Sequence, residues 1–244
     1  MGIKAHNAPM QFQQESEPTL DFEFEPISNG VSVLSPQELF ENPGLMVAAS
    51  NLLISGIDTA SHFYPAQNIK DSLRNYSLDD NASYHPTFSL WKELQNKPEI
   101  QPFLAVELAD EEVLAVAVGK IFEEGNNEYR AKRLHVNWVV SQTGLKDGNP
   151  LAKGSASRVY SLLETYGKAT KCDFMSAAVV DINKPSLKLH EKFGFNKIPN
   201  TPEMADSGLF MINGSFKPFF TLGGLDINGA EIAPAKLEYY WKHL

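Results

Sequence analysis

Two rhythms of apolar and polar positions run through this chain, and they meet most clearly at residues 174–195. Phe174–Val180 is apolar or small throughout, as expected of a strand covered on both faces. Asn183 then offers a helix cap, and Pro185 suits a first helical turn, where its missing N–H has no intrahelical partner. Ser186, Leu189, His190 and Phe193 follow at i, i+3, i+4 and i+7 and share one face. Gly194 supplies a left-handed stop, and Phe195 packs back on the helix. Asn183 thus falls at the carboxyl end of a buried strand, where open α/β sheets place ligands.

Read in order, residues 1–30 carry one basic side chain, Lys4, against Glu15, Glu17, Asp21, Glu23 and Glu25, and predict a flexible acidic arm. Val31–Leu34 reads as the first strand, and Ser35–Glu38 has the spacing of a capping box. A helix restarts at Asn42-Pro43, carries Leu45, Met46, Ala49, Leu52 and Leu53, and is expected to end near Gly56. Further amphipathic turns are marked by Ile69, Leu73 and Tyr76 and by Leu90, Trp91 and Leu94. Pro102–Leu108 and Val113–Phe122 form the clearest hairpin, joined through Ala109–Glu112. Leu134–Val140 makes a fourth strand, with Leu134, Val136, Trp138 and Val140 expected on one face and His135, Asn137 and Val139 on the other. After a loop at Ser141–Lys153, a helix opens near Gly154 and repeats Val159, Leu162, Leu163 and Tyr166 at helical spacing. Phe195–Ile198 and Gly208–Asn213 are expected to pair. Asn228-Gly229 marks a hairpin turn, and Leu237, Tyr239 and Trp241 alternate as a last strand.

Composition narrows the function classes. The 244 residues carry a formal net charge of −9, which gives a nucleic-acid partner no electrostatic support. A cationic or amine-bearing substrate suits that sign, although many acidic chains use charge only for solubility. One cysteine, Cys172, excludes an internal disulfide and a zinc ribbon. The six histidines show no paired ligand spacing, so no metal site is expected. No apolar run reaches the length of a membrane span or a signal-peptide core, and a soluble cytoplasmic chain is the default.

The run through Asn183, Ser186, Leu189, His190, Gly194 and Phe195 resembles the signature near the end of the GNAT superfamily of acetyl-CoA-dependent N-acetyltransferases. Its Ser, Leu-His-Glu-Lys and Gly-Phe are similar to the phosphinothricin-type branch; most members carry Tyr where this chain has His190. The resemblance implies an α/β (α+β) fold, with a central mixed sheet of six to seven strands flanked by helices and splayed between the fourth and fifth. It divides the chain into the arm at 1–30, a GNAT-like domain at 31–213 with an enlarged helical segment at 36–98, and a C-terminal extension at 214–244 packed on the sheet.

The same resemblance implies acetyl-CoA as co-substrate and a primary amine of a small molecule or peptide as acceptor, with no nucleic acid or membrane partner. A homodimer stays open. A helix start with unpaired N–H groups suits a pyrophosphate, and Lys153, Gly154, Ser155, Ala156 and Ser157 combine small residues, one cation and hydroxyls there. Leu151 departs from the Arg or Gln that the family places three residues before Gly154. Val139, Val140 and Ser141, at the end of the fourth strand, would take the cofactor arm by strand addition, with Asn183 and Ser186 beside it. His190 is the candidate donor of a proton to the leaving sulfur, with packing on the helix face as the alternative. The general base is unassigned, with His135 and Asn137 as substrate-side candidates. Alternatives for the whole chain are a non-catalytic acyl-CoA-binding protein, and a transferase using another acyl-CoA or a protein acceptor.

Overall fold

A mixed sheet forms the body of the chain, in a computed structural model that describes residues 30–34, 38, 41–61, 100–110, 112–125, 130–142, 145–146, 149–150, 152–198, 211–212, 215–216, 219–225 and 231–244. Its strands are β1 (Gly30–Leu34), β2 (Ile100–Ala109), β3 (Glu112–Gly125), β4 (Arg130–Ser141), β5 (Phe174–Val180), β6 (Asn196–Lys197), β7 (Phe219–Leu225) and β8 (Glu231–His243). Seven of them lie side by side in the order β1-β2-β3-β4-β5-β8-β7, and β6 pairs with β8. Neighbours are antiparallel except β4 and β5, which run parallel. That matches the expected mixed sheet. The acidic arm, Leu151, the turns around Ile69–Tyr76 and Leu90–Leu94, and the Asn228-Gly229 turn lie outside the described residues.

The helices are α1 (Pro43–Ser61), α2 (Ser155–Ala169) and α3 (Lys184–Lys192). On one face, Val159, Tyr160 and Leu163 of α2 pack with Phe103, Ala105, Ala117, Ile121, Leu134 and Val136. On the other, Leu45, Ala49 and Leu53 of α1 pack with Leu104, Val106, Val116 and Val118. Burial on both faces accounts for the near-continuous apolar runs of β2 and β3, which pair as the expected hairpin. Helix α1 does not stop at Gly56. It continues to Ser61, and Gly56 lets it lie against β4, since a Cβ there would sit 2.3 Å from the Val140 methyls.

Strand β4 departs from the regular alternation expected of it. Cross-strand pairs with β3 run Val116↔Val140, Ala117↔Val139 and Val118↔Trp138, then jump to Gly119↔Val136. Asn137 is therefore the extra residue of a β-bulge, which turns the side chains on either side of it to opposite faces. Leu134 and Val136 join the α2 side of the core with Val139, whereas Trp138 and Val140 join the α1 side. The single face predicted for Leu134, Val136, Trp138 and Val140 is thus corrected. Gly119 makes room for the bulge: a Cβ there would lie 2.1 Å from the His135 carbonyl oxygen.

The carboxyl-terminal part of the chain is woven into the sheet. Leu237–His243 of β8 pairs with Phe174–Val180 along the whole of β5. Asn196 and Lys197 pair with Trp241 and Tyr240 of β8, and Met211–Ile212 pairs with Ser215–Phe216. Asn196 and Lys197 thus pair with β8 rather than with Met211–Ile212 as expected, because Ile198 beside them is buried against Tyr239 and Trp241 of that strand.

Candidate active site

The parallel pair β4–β5 is short. Its rungs run from Arg133↔Phe174 to Val136↔Ala177 and stop there. Beyond that rung β4 continues to Ser141, still paired with β3, and β5 continues to Val180, still paired with β8. The two strands therefore part into a gap lined by residues 137–141 on one side and 178–180 on the other. Val139, Val140 and Ser141 line it, at the carboxyl ends of two parallel strands. The bulge at Asn137 stands at its apex.

Helix α2 begins over the same end of the sheet. Glu107, Ala115 and Ser141 are successive cross-strand partners on β2, β3 and β4. Arg158, in the first turn of α2, is held to Glu107 on that row, Nε to Oε1 at 2.5 Å. Its guanidinium also donates to Ser155 Oγ at 2.9 Å and to the Lys153 carbonyl at 3.2 Å. Gly154 caps the helix at φ 81°, a left-handed conformation that side chains resist. No acidic residue occupies the first turn of α2. Lys153 is exposed beside it, and Lys192 of α3 reaches across to donate to Ser157 Oγ at 2.9 Å. Three cations thus surround a helix N-terminus that carries the positive end of the helix dipole.

The sequence reading named Lys153, Gly154, Ser155, Ala156 and Ser157, and the structure gathers them at this start. It did not name Arg158 or Lys192. The signal for Arg158 was available, since a residue four past a capping Gly lies in the first turn and can fold back over it. Lys192 depends on the packing of α3 against α2, which no local pattern reports. Ser155 itself is fully buried, with its hydroxyl engaged by Arg158, so what it can present outward is backbone rather than side chain.

Asn183 lies where expected, just past the carboxyl end of β5. Its Oδ1 accepts from the Ser186 N–H at 3.2 Å, the predicted helix cap. Gly194, at φ 71°, closes the same helix as predicted. Ser186 is half-buried, and its carbonyl accepts from His190 Nδ1 at 2.7 Å.

That bond decides the state of His190. A carbonyl can only accept, so Nδ1 carries the proton, and in the neutral ring Nε2 is then an acceptor. The Tyr160 hydroxyl lies 2.9 Å from Nε2 and donates to it. The ring is 3% exposed and packed against Tyr160, Phe195 and Tyr240. Burial lowers its pKa, partly offset by the Ser186 carbonyl. The neutral imidazole has no free proton and no free lone pair, and it faces the α2–α3 interface. On this geometry the packing alternative is the one favoured for His190, a buried side chain that joins two helices.

His135 Nδ1 sits 2.9 Å from Ser176 Oγ, its cross-strand partner on β5 in the last rung but one before the gap. Burial, then Arg133 and Lys120, hold its pKa well below the ordinary value. Cys172 is buried, its thiol pKa raised by burial, with Thr170 Oγ at 3.5 Å; it is a packing residue. Among the described residues no cluster of His, Cys, Asp or Glu could hold a metal ion. No described helix is long and apolar enough to cross a membrane.

No protein-family model matches the chain, and a search of curated proteins gives no match. Similar solved structures include an N-acetyltransferase from Staphylococcus aureus Mu50, at 14% identity and TM-score 0.49, covering 88% of this chain and 99% of that one. The PaiA N-acetyltransferase from Thermoplasma acidophilum, in complex with coenzyme A, is 12% identical at TM-score 0.47, with coverages of 88% and 99%. The ribosomal-protein-alanine N-acetyltransferase from Brucella melitensis is 14% identical at TM-score 0.45, with the same coverages. Identities and scores this low leave the function to be argued from the residues of the site.

Proposed function

We propose that this chain is an acyltransferase of the GNAT type, moving an acetyl group from acetyl-CoA to a primary amine of a small molecule or peptide. The observation that carries the reading is the parting of β4 and β5 beside the cationic start of α2. A gap between parallel strands accepts an extended arm bearing amides, because both walls offer backbone groups for strand addition. The adjacent helix start accepts phosphates, and a negative charge there is worth about 0.3–1 kcal/mol, more when partly buried. One ligand that carries both features, a pyrophosphate and an amide-bearing arm, is coenzyme A. The motif from Asn183 to Phe195 adds the family resemblance.

The residues divide the work accordingly. Gly154–Ser157 would present backbone N–H groups to the phosphates, with Lys153, Arg158 and Lys192 supplying charge. Val139, Val140 and Ser141 would bind the arm along β4, and Asn183 and Ser186 would border it from β5 and α3. Acetyl-CoA, when bound, would supply a thioester whose carbonyl carbon is open to attack by the neutral amine nitrogen. The C–N bond forms, the C–S bond breaks, and the proton shed by the nitrogen passes through water to the departing thiolate, which leaves as the free thiol. Holding acceptor and thioester in line supplies much of the rate. His190 takes no proton in this scheme. It fixes α3 against α2, and with it the two helix starts that frame the gap.

A binding protein that retained the fold without turnover would share every one of these features. Incubation with acetyl-CoA and a panel of amines, with free thiol as readout, separates the two. Amine-dependent thiol release is the expected result. Calorimetric binding of coenzyme A with no thiol from any amine would leave only the binding protein.

A further inference from the structure

Four exposed cations stand on the surface that α2 and α3 share. Lys153 and Arg158 lie beside the start of α2, and Lys188 and Lys192 are one turn apart on α3. Lys192 is joined to α2 through Ser157 Oγ, so the two sets are neighbours. Glu107 is bonded to Arg158 but is itself buried, and Glu191 is an exposed acid next to Lys192. Cations therefore outnumber acids among the described residues of this surface, on a chain whose net charge is −9. Much of that negative charge is gathered ahead of β1, where Glu15, Glu17, Asp21, Glu23 and Glu25 are offset only by Lys4.

The same acidic segment enters the sheet beside these cations. Strand β1 starts at Gly30, paired with Leu108, and Val31 pairs with Glu107, the residue that holds Arg158. One strand spacing, about 4.8 Å, thus separates the beginning of β1 from the anchor of the Arg158 side chain. Five residues of extended chain span at most about 17 Å, so Glu25 can reach the patch, with Glu23 and Asp21 behind it. These three acids alternate with Phe22 and Phe24, which in an extended segment puts the carboxylates on one side.

We propose that residues 15–25 of this chain dock on the patch formed by Lys153, Arg158, Lys188 and Lys192, and that a phosphate-bearing ligand at the start of α2 must displace them. The competition rests on the coenzyme A reading given above; the docking does not. Exposed ion pairs are weak singly and are screened over about 8 Å at physiological salt. The tether offsets this by holding the segment near its surface at an effective concentration in the millimolar range. A segment with a dissociation constant of about a millimolar then weakens a competing ligand by about two- to fivefold.

A carbodiimide couples carboxylates directly to lysine amines in contact with them, and peptide mass spectrometry of the cross-linked full chain reads the docking. Links from residues 15–25 to Lys153, Lys188 or Lys192 are expected, unchanged on dilution. The proposal is overturned by the absence of such links, by links spread over lysines of other surfaces, or by links that vanish on dilution, as a second copy's segment would give. The competition is read by titrating coenzyme A calorimetrically into the parent and into a full-length variant carrying Glu15→Gln, Glu17→Gln, Asp21→Asn, Glu23→Gln and Glu25→Gln. At about 20 mM salt the variant should bind about two- to fivefold more tightly, and at about 500 mM salt the two should be equal. Equal affinities at low salt overturn the competition and spare the cofactor reading, as does a difference that persists at high salt. If the parent binds no coenzyme A, the cofactor reading falls and the cross-links alone decide the docking.

Discussion

Replacing Tyr160 by Phe removes one oxygen from a site where both partners are nearly inaccessible, Tyr160 at 1% exposure and His190 at 3%. The rings keep their edge-to-face contact at 5.4 Å, so little packing is lost. What changes is His190 Nε2, which is left buried without a donor while Nδ1 stays bound to the Ser186 carbonyl. The cost is the unpaired-acceptor penalty, about 1–3 kcal/mol, rather than the smaller net value of a hydrogen bond. For a chain of this size each kcal/mol lowers the melting temperature by about 2–4 °C. Urea denaturation monitored by tyrosine and tryptophan fluorescence reads it directly. A double cycle with His190→Leu should return part of the loss, since removing both partners leaves no orphan at Nε2. Acetyl transfer per folded molecule should change little in Tyr160→Phe. The pH dependence has a defined sign. With the folded pKa below the ordinary 6.5, the unfolded chain takes up a proton at His190 before the folded one does. Stability is therefore present above about pH 6.5 and falls as pH drops below it, by at most about 1.4 kcal/mol per pH unit for this group. His135 is shifted the same way, so His190→Leu should reduce the slope without abolishing it. A Tyr160→Phe protein as stable as the parent, or one that is stable yet has lost turnover, would refute the assignment of His190 as a strut.

Two further substitutions bear on the site. Gly119→Ala places a methyl 2.1 Å from the His135 carbonyl oxygen and 2.5 Å from Phe103 Cζ; the backbone atom cannot yield, and a loss of about 1–3 kcal/mol or more in denaturant stability is expected, whereas an unchanged midpoint would mean the bulge is not as described. Arg158→Gln leaves the buried Glu107 carboxylate without its cation; discounted for the half-exposed guanidinium, the loss should be about 1–2 kcal/mol, with Glu107→Gln in the same chain restoring most of it, and a failure of the pair to compensate would show that the two act separately.

The parts of this fold that were legible in the sequence are those with local causes. Asn183, Pro185 and Gly194 set the ends of α3 through backbone chemistry confined to a few residues, and the structure has them in those roles. Residues 134–140 show the limit. They alternate apolar and polar almost evenly, and nothing in the string says that Asn137 is counted out; the bulge follows from a register against β3 and from Gly119, some twenty residues earlier. Strand β8 was recognised as a strand but not as the neighbour of β5, because that pairing joins segments over fifty residues apart. His190 was placed on the right face of its helix. What that face meets, the Tyr160 hydroxyl of α2, is a tertiary fact that no local pattern reports. Arg158 lies outside the motif, which points to position 151, whereas the guanidinium reaches the helix start from within the helix.

The central claim is that one ligand bridges the gap between β4 and β5 and the start of α2. Hydrogen–deuterium exchange of the full chain with and without saturating coenzyme A measures this most directly. Slowed exchange is predicted in residues 137–141 and at the amides of 154–157 together, with the edge strand β1 unchanged. No binding, or protection confined to segments away from both, would contradict it.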